Sequence, residues 1–323
     1  MHSSGIEVRS INFSKLIVAI VLSILLSITL FYLTLEIPRI LNEILRNYYP
    51  DIYWDSELRI RIINALRPYG YLTLVITFVL IILGFIIKRS YLSILGSVAI
   101  YLPIFGYFAF SMFFLTGIGV LRILWLPFIE LSPVVLELGD IVILPLSILK
   151  LIPYSNAVLI SISLLFIFLG LLVFSLGVIT WIYGKFNGFK VINFWIYKYS
   201  RHPQYLGYLL WSYGLLLITP ISGGVFAILP TFPWLISSMT IIGIALYEEI
   251  EMKKKYGEEY IDYLKKTPFM LPLPKFISRI IKFPLKLLLK NSPRSKRDIV
   301  LILITYIIIL IILSLIINIL NLM

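Results

Sequence analysis

The chain contains no cysteine and only two histidines, His2 and His202, among its 323 residues. Disulfides, thiolate metal centres and cysteine nucleophiles are therefore excluded, because each of them needs a cysteine sulfur. A metal site built from several histidines is excluded as well, since zinc centres take three or four protein ligands. We therefore expect a protein that works without a bound metal.

Charged residues are also scarce, at 14% of the chain, whereas 60% is hydrophobic and the mean hydropathy is +1.00. Soluble domains are about half apolar and about a quarter charged. The apolar residues form runs of about 20, which is long enough to cross a hydrocarbon core of about 30 Å. The sequence thus excludes an ordinary soluble domain. It predicts an all-α, polytopic integral membrane helical bundle with about seven transmembrane helices plus interfacial helices.

The predicted transmembrane helices cover residues 16–35, 71–87, 91–116, 156–183, 206–219, 225–247 and 299–320. The first is interpreted as a retained helix, because no small-residue cleavage site follows it. Helical spacing of apolar residues predicts surface helices over 37–48 and 58–66, ended by Pro50 and Pro68. Residues 117–155 contain four prolines and are predicted to be interfacial or re-entrant. Residues 275–290 are basic and amphipathic, which predicts a helix resting on anionic lipid.

The formal net charge of +12 is distributed unevenly between the predicted loops. If both ends of the hairpin 206–247 face the cytoplasm, the cytoplasmic segments are 1–15, 88–90, 184–204 and 248–298. These segments hold 21 of the 28 lysines and arginines. Cytoplasmic loops of membrane proteins carry such an excess of basic residues. The charge distribution therefore predicts that 36–70 is external and that the hairpin opens toward the cytoplasm.

Two polar clusters interrupt the apolar sequence at the two ends of this hairpin. The first is Arg201-His202-Pro203-Gln204-Tyr205-Leu206-Gly207, and the second is Glu248-Glu249. Ionisable groups close to hydrocarbon are costly unless they are paired or bind a ligand. Because a hairpin brings its two ends to one membrane surface, we predict that the clusters meet there and form the active site.

Simpler structural interpretations compete with a binding role for the first cluster. Arg201 can extend to the interface while Pro203 starts a helix, and Gly207 can permit close helix packing. The tyrosines at 256, 260 and 263 share one predicted helix face, which is typical of interfacial packing. Acids at the end of a helix oppose its dipole, so Glu248 and Glu249 favour a ligand that carries an amine, hydroxyls or positive charge.

In order, the pattern is Arg-His-Pro-x-Tyr-x-Gly, a hairpin, Glu-Glu, and Tyr-Gly-x-x-Tyr-x-x-Tyr-x-x-x-Thr-Pro. Over roughly residues 165–272 this pattern resembles the C-terminal core of isoprenylcysteine carboxyl methyltransferases and the related phospholipid methyltransferases. The resemblance implies a membrane enzyme that binds S-adenosylmethionine at the cytoplasmic face and takes a lipid or lipidated acceptor from the bilayer.

The resemblance also implies roles for individual residues. His202, Pro203, Tyr205 and Gly207 would line the cofactor pocket, where Glu248 and Glu249 would hold amino or hydroxyl groups of the cofactor. Arg201 and Glu249 are the implied catalytic residues, with Arg201 supporting the site or facing an anionic substrate.

The family pattern has a glycine where this chain has Trp195, which changes the loop that closes over the cofactor. The resemblance divides the chain into a transmembrane region 1–155 of unknown role, a methyltransferase core 156–274, and a basic helix with a final span 275–323.

Two other classes of protein remain compatible with the sequence. Membrane sterol and steroid reductases have a similar acidic Tyr-Gly stretch, and the lysines at 253–255 could meet the 2′-phosphate of NADPH. A channel, transporter or scaffold would need no cofactor, but it predicts polar residues scattered through several spans. Methyl transfer requires positioning and exclusion of water and no covalently bound residue, so the lack of a catalytic triad agrees with it.

Overall fold

The computed structural model describes residues 12–46, 56–101, 135, 137–145, 156–222, 231–288 and 293–320. The α-helices in these ranges are α1 (Phe13–Arg46), α2 (Ser56–Ile87), α3 (Ser90–Tyr101), α4 (Asn156–Phe186), α5 (Pro203–Ser222), α6 (Thr231–Lys266), α7 (Lys275–Ile281), α8 (Phe283–Leu288) and α9 (Lys296–Ile319). Short 3₁₀ helices cover Asp140–Ile143 and Trp195–Lys198. No strand occurs in this described part of the chain, so the predicted all-α fold is confirmed.

Three of the described stretches are long and apolar enough to cross a membrane, namely Arg67–Ile87, Ala157–Phe186 and Lys296–Ile319. Phe13–Thr29 is a shorter apolar stretch. The chain is thus an integral membrane protein, whereas the predicted number of about seven spans is not confirmed. The predicted span 91–116 is described only as far as Tyr101, and most of 117–155 lies outside the described residues.

The N-terminal helices are longer than predicted. Helix α1 continues to Arg46, and α2 runs from Ser56 to Ile87 through Pro68. The separate surface helix predicted after residue 36 and the helix end predicted at Pro68 are therefore wrong. A proline removes one backbone hydrogen bond, but the apolar run that follows still favours a helix, because in a membrane the other backbone groups must be paired.

Helices α4 and α5 approach each other closely through glycines. A Cβ atom at Gly207 would lie 2.5 Å from the backbone nitrogen of Phe174, and one at Gly170 would lie 2.3 Å from that of Trp211. Small residues allow such close contact between membrane helices. Gly207 therefore permits helix packing, as the simpler interpretation predicts.

Helices α2 and α3 form a tight hairpin that packs on α6. The hydroxyl of Ser93 donates to the carbonyl of Ile81 at 2.9 Å, and a Cβ at Gly84 would lie 2.1 Å from Ser93 Oγ. Helix α3 contacts α6, and α6 contacts α9. The N-terminal hairpin is thus packed against the helix that carries the two glutamates.

The segment around Asp140 packs against the far ends of α5, α6 and α9. Thr231 Oγ1 donates to Asp140 Oδ1 at 2.6 Å, and the Ile141 N–H donates to Ser314 Oγ at 3.0 Å. The hydroxyl of Tyr213 donates to the Val142 carbonyl at 2.7 Å. Asp140 and Ile143 of the stretch 117–155 are therefore buried within the protein.

Helix α6 does not end at the glutamates as predicted, because it continues from Thr231 to Lys266. Its one non-helical residue is Gly257, with φ 53° and ψ −130°, which kinks the helix. Its last residue precedes Thr267-Pro268, as predicted. Glu248 and Glu249 are thus interior residues of the helix, so they do not lie at a helix end where its dipole would oppose them.

The basic stretch predicted as one helix forms two short ones, α7 and α8, separated at Lys282.

Candidate active site

The first polar cluster is held in place by backbone contacts before α5 begins. The Arg201 N–H donates to the carbonyl of Pro268 at 3.1 Å, and the His202 N–H donates to Ser200 Oγ at 3.3 Å. Pro203 is the first residue of α5, a position where its missing N–H costs nothing. Arg201 and His202 are therefore fixed between the loop after α6 and the start of α5.

The two polar clusters meet at the carboxylate of Glu249. One of its oxygens, Oε1, lies 3.1 Å from Arg201 Nε and accepts from His202 Nε2 at 3.2 Å. The Arg201 Nε–H is not aligned along a hydrogen bond, so the arginine contact is an ion pair by distance. The side chains of Arg201 and Glu249 are 13% and 8% exposed, so these two charges interact with little screening by water. The predicted meeting of the clusters is thus observed.

Phe269, just after α6, covers the other side of the same pair. Its ring centroid lies 5.6 Å from the guanidinium carbon of Arg201 and 5.1 Å from the ring centroid of His202. A guanidinium over an aromatic face is stabilised by the ring quadrupole.

Glu248 forms the second contact between the clusters. Its Oε1 accepts from the hydroxyl of Tyr205 at 2.7 Å, and the ring of Tyr205 stacks on that of His202 at 5.7 Å. Burial raises the pKa of Glu248, while the hydrogen bond from Tyr205 and the nearby His202 oppose that rise. Burial likewise raises the pKa of Tyr205, which keeps its hydroxyl protonated as a donor. Glu248 is thus a carboxylate whose ionised form is favoured by an added positive charge.

A cavity of about 480 Å³ opens beside these side chains. Of the residues predicted for the site, Arg201, His202, Tyr205 and Glu248 line it. Its walls also include Lys88, Lys185 and Lys190. Together with Glu248, these lysines represent the segments 88–90, 184–204 and 248–298, which the charge distribution assigns to one side of the membrane. The volume is within the range of about 300–1,000 Å³ that is typical of small-molecule sites.

Three predicted residues do not line the cavity. Gly207 faces the backbone of α4, and the ring of Pro203 lies next to Gly177 of the same helix. Glu249 lies behind the wall, where it contacts Arg201 and His202. These residues shape the site without facing its interior.

The sequence interpretation missed the tyrosines of the cavity wall. Tyr197, Tyr260 and Tyr263 are buried and line the cavity, and Tyr263 donates its hydroxyl to the Tyr197 carbonyl at 2.8 Å. Regular helical spacing favours surface packing for 260 and 263, but Gly257 interrupts the helix before them. The Tyr-Gly pair at 256–257 is the signal in the sequence that could have indicated this kink.

Trp195 stands in a backbone conformation that favours glycine, with φ 47°. Left-handed backbone costs a residue with a side chain about 1–2 kcal/mol. The ring of Trp195 contacts Tyr183, with centroids 4.9 Å apart, and meets Phe194 edge-on at 5.2 Å. These aromatic contacts offset the strain, so the loop reaches Arg201 without the glycine that the family pattern predicts.

Comparison with known proteins identifies the segment that contains both polar clusters. The family model described as phospholipid methyltransferase matches residues 155–259, which include both polar clusters. Protein-S-isoprenylcysteine O-methyltransferase B of Arabidopsis thaliana is 33% identical over 85 residues, covering 26% of this chain and 40% of the relative. The protein-S-isoprenylcysteine O-methyltransferases of Mus musculus and Homo sapiens are 38% and 35% identical over 82 residues, covering 25% of this chain and 26% of each relative. No solved structure matches the chain.

The chain is therefore an integral membrane protein with a segment that is similar to membrane methyltransferases. Residues 155–259 match the phospholipid methyltransferase family model, so the resemblance drawn from the sequence is confirmed. The chain spans two fifths or less of the length of these curated relatives.

Glu249→Gln tests whether Glu249 holds the cluster together. The substitution leaves Arg201 without its buried counter-charge, and breaking a buried ion pair costs about 3–5 kcal/mol. We expect a clear fall in the thermal unfolding midpoint of the detergent-purified protein. Glu248→Gln retains an oxygen for the Tyr205 hydroxyl and should lower the midpoint less. Equal midpoints for the two variants would show that the Arg201–Glu249 contact does not stabilise the fold.

Proposed function

We propose that this protein is an S-adenosylmethionine-dependent methyltransferase whose acceptor is a lipid or a lipidated molecule. The observation that carries the proposal is that both polar clusters of the family-matched segment meet beside one cavity. S-adenosylmethionine presents a sulfonium, an amino group and ribose hydroxyls, which suit a buried carboxylate. Its own carboxylate suits the basic side chains of the same walls.

His202, Tyr205 and Glu248 would hold the cofactor, because they line the cavity and contact one another. The faces of Tyr197, Tyr260 and Tyr263 suit a sulfonium, since aromatic rings attract cations of this kind. Arg201 is the proposed catalytic residue that faces the acceptor. Glu249 acts through Arg201 and His202 and is better described as a positioning residue.

The cofactor would supply an electrophilic methyl group when bound, and the side chains would hold the cofactor and the acceptor in position for the transfer. Methyl transfer is an in-line displacement, so the protein accelerates it by orienting the reactants and excluding water. A prenylcysteine-type carboxylate acceptor needs no base. A phospholipid amine must first lose a proton, and His202 or Glu248 lies in the cavity wall to accept it, directly or through water.

Isothermal titration of the purified protein with S-adenosylmethionine tests the proposal. A hydrogen bond to a charged group contributes about 1.5–3 kcal/mol, so Glu248→Gln and His202→Ala should each weaken binding about tenfold to a hundredfold. Binding to the wild type should strengthen as the pH rises through the raised pKa of Glu248, because the cationic ligand prefers the ionised carboxylate. Glu248→Gln should remove this part of the pH dependence.

Glu258→Gln is the matched control, because Glu258 is an exposed acid of the same helix and does not line the cavity. Unchanged binding in both cavity variants would place the cofactor elsewhere. Binding of NADPH in place of S-adenosylmethionine would support the reductase alternative.

We propose further that the acceptor reaches the cavity sideways from the bilayer. The walls include Trp181, which is 45% exposed and belongs to the membrane-length stretch Ala157–Phe186. An apolar tail can therefore stay in hydrocarbon while its polar head enters the cavity. The N-terminal region 1–155 would contribute to this acceptor side, next to the core 156–274.

Methyl transfer to acceptors with one head group and increasing chain length tests lateral access. Each buried CH₂ contributes about 0.8 kcal/mol, so the apparent affinity should rise several-fold per added methylene until the tail is fully accommodated. Water-soluble short-chain acceptors that react as well as long ones would contradict lateral access and favour a small-molecule methyltransferase.

The cavity is proposed to face the cytoplasm, with α7 and α8 of the C-terminal region 275–323 resting on anionic lipid. Phe276, Ile280 and Leu287 are 64%, 66% and 72% exposed, and exposed Arg279, Lys282 and Lys286 alternate with them. Apolar and basic residues together on short exposed helices favour an anionic membrane surface.

The cysteine-free chain allows a direct test of this orientation. Single cysteines at Ser56 and Ser278 should react with an impermeant maleimide from opposite sides of the membrane, with Ser278 on the cytoplasmic side. A fluorophore on Phe276→Cys should report a more apolar environment in nanodiscs with phosphatidylserine than in pure phosphatidylcholine. Labelling of both serine positions from outside would contradict the orientation.

A further inference from the structure

One cavity residue, Lys88, lies far before the family-matched segment in the chain, whereas the other lining residues fall between 181 and 263. Lys88 lies on the turn between α2 and α3, whereas the match covers residues 155–259. We propose that Lys88 is a specificity-determining residue that binds an anionic group, a carboxylate or a phosphate, on the acceptor. This inference rests on the proposed function and adds to it the charge of the acceptor and the residue that recognises it.

The turn requires a backbone conformation at Lys88 that is strained for a residue with a side chain. Its φ is 64°, and the N–H of Arg89 donates to the Gly84 carbonyl at 3.0 Å, which is the helix ending that normally has glycine at this position. In the described part of the chain, the non-glycine residues with positive φ are Lys88 and Trp195, and Lys88 lines the cavity. Such outliers cluster at functional sites, so the lysine side chain is the feature to be explained.

The turn is also firmly anchored next to the cavity. Lys296 donates from Nζ to the carbonyls of Phe85 and, at 3.3 Å, Ile86, which end α2. The ring of Phe85 meets that of Tyr247 edge-on at 6.0 Å, and Tyr247 lines the cavity beside Glu248. The position of Lys88 is thus coupled to the helix that carries the glutamates.

The other charges around the cavity leave Lys88 available for a ligand. Glu248 accepts from Tyr205, and Glu251 forms an ion pair with Lys254 at 3.1 Å. Arg201 is paired with Glu249. Within the described residues, no carboxylate pairs with Lys88. The cavity therefore has a cation that an anionic ligand would complement.

The position of Lys88 favours the acceptor, and not the cofactor, as the ligand that this lysine binds. It directly follows the membrane-length stretch Arg67–Ile87, at the depth where the polar heads of lipids lie. The cofactor would be bound by the family-matched domain, which has its own lysines at 185 and 190 in the wall. An anion carried by a membrane-held acceptor meets Lys88 at the level of the interface.

The test compares charged and uncharged ligands with the same tails on purified wild-type and Lys88→Gly protein. The first pair is N-acetyl-S-farnesylcysteine and its methyl ester, and the second is dioleoyl phosphatidic acid and dioleoylglycerol. Glycine suits the positive φ, so Lys88→Gly should unfold at the same temperature as the wild type or at a higher one. We expect it to bind the anionic member of one pair about tenfold more weakly and both uncharged ligands unchanged.

The pair that responds identifies the anion as a carboxylate or a phosphate. Arg89→Ala is the matched control, because Arg89 is an exposed cation of the same turn and does not line the cavity. An equal loss in Arg89→Ala, or no loss in Lys88→Gly, would overturn the inference. Titration with S-adenosylmethionine should give the same Kd for wild type and Lys88→Gly. No S-adenosylmethionine binding to the wild type, with the anion preference intact, would count against the proposed function alone.

Discussion

The buried carboxylate of Glu249 is the contact on which the site depends. It lies 3.1 Å from Arg201 Nε and 3.2 Å from His202 Nε2, so one interior residue of α6 binds the chain just before α5. A buried charge without partners is costly, so these three side chains stabilise one relative position of the two helices. This relative position also determines the cavity wall, because Arg201 and His202 contact Glu249 and line the cavity.

A second set of contacts joins the N-terminal hairpin to the same helix. Tyr247, directly before the glutamates, meets the ring of Phe85, and Lys296 lies over Tyr247 with Nζ 5.2 Å from its ring centroid. Lys296 also pairs with the last carbonyls of α2, which a lysine satisfies well at a helix C-terminus. The family-matched segment therefore forms one part of the cavity, which Lys88 before it and Tyr260 and Tyr263 after it complete.

Much of the candidate site could be predicted from the sequence, because ionisable residues in an apolar membrane chain must pair with one another or lie at a membrane surface or a polar cavity. Arg201 and Glu249 meet as the hairpin argument predicts. The roles of Gly207 and of the tyrosines at 260 and 263 could not be predicted in this way. A glycine in a membrane helix suits a ligand or a neighbouring helix equally, and only the backbone of Phe174, 2.5 Å from an added Cβ, decides for packing. Tyr260 and Tyr263 follow the kink at Gly257, and although the Tyr-Gly pair at 256–257 indicates a kink, it does not specify which residues then face the cavity.

The sequence by itself determined that this is a helical membrane protein and that its ionisable residues near the hairpin form two clusters. It also determined which family the segment with those clusters resembles. These conclusions follow from composition and apolar run length, because the free energy of transfer from water to hydrocarbon is a property of the residues and not of their tertiary arrangement. Only the tertiary structure decided which residues face the cavity, that Glu249 lies behind its wall, and that Lys88 joins it from a distant hairpin. Those outcomes depend on contacts between segments far apart in the chain, and no local pattern specifies such contacts.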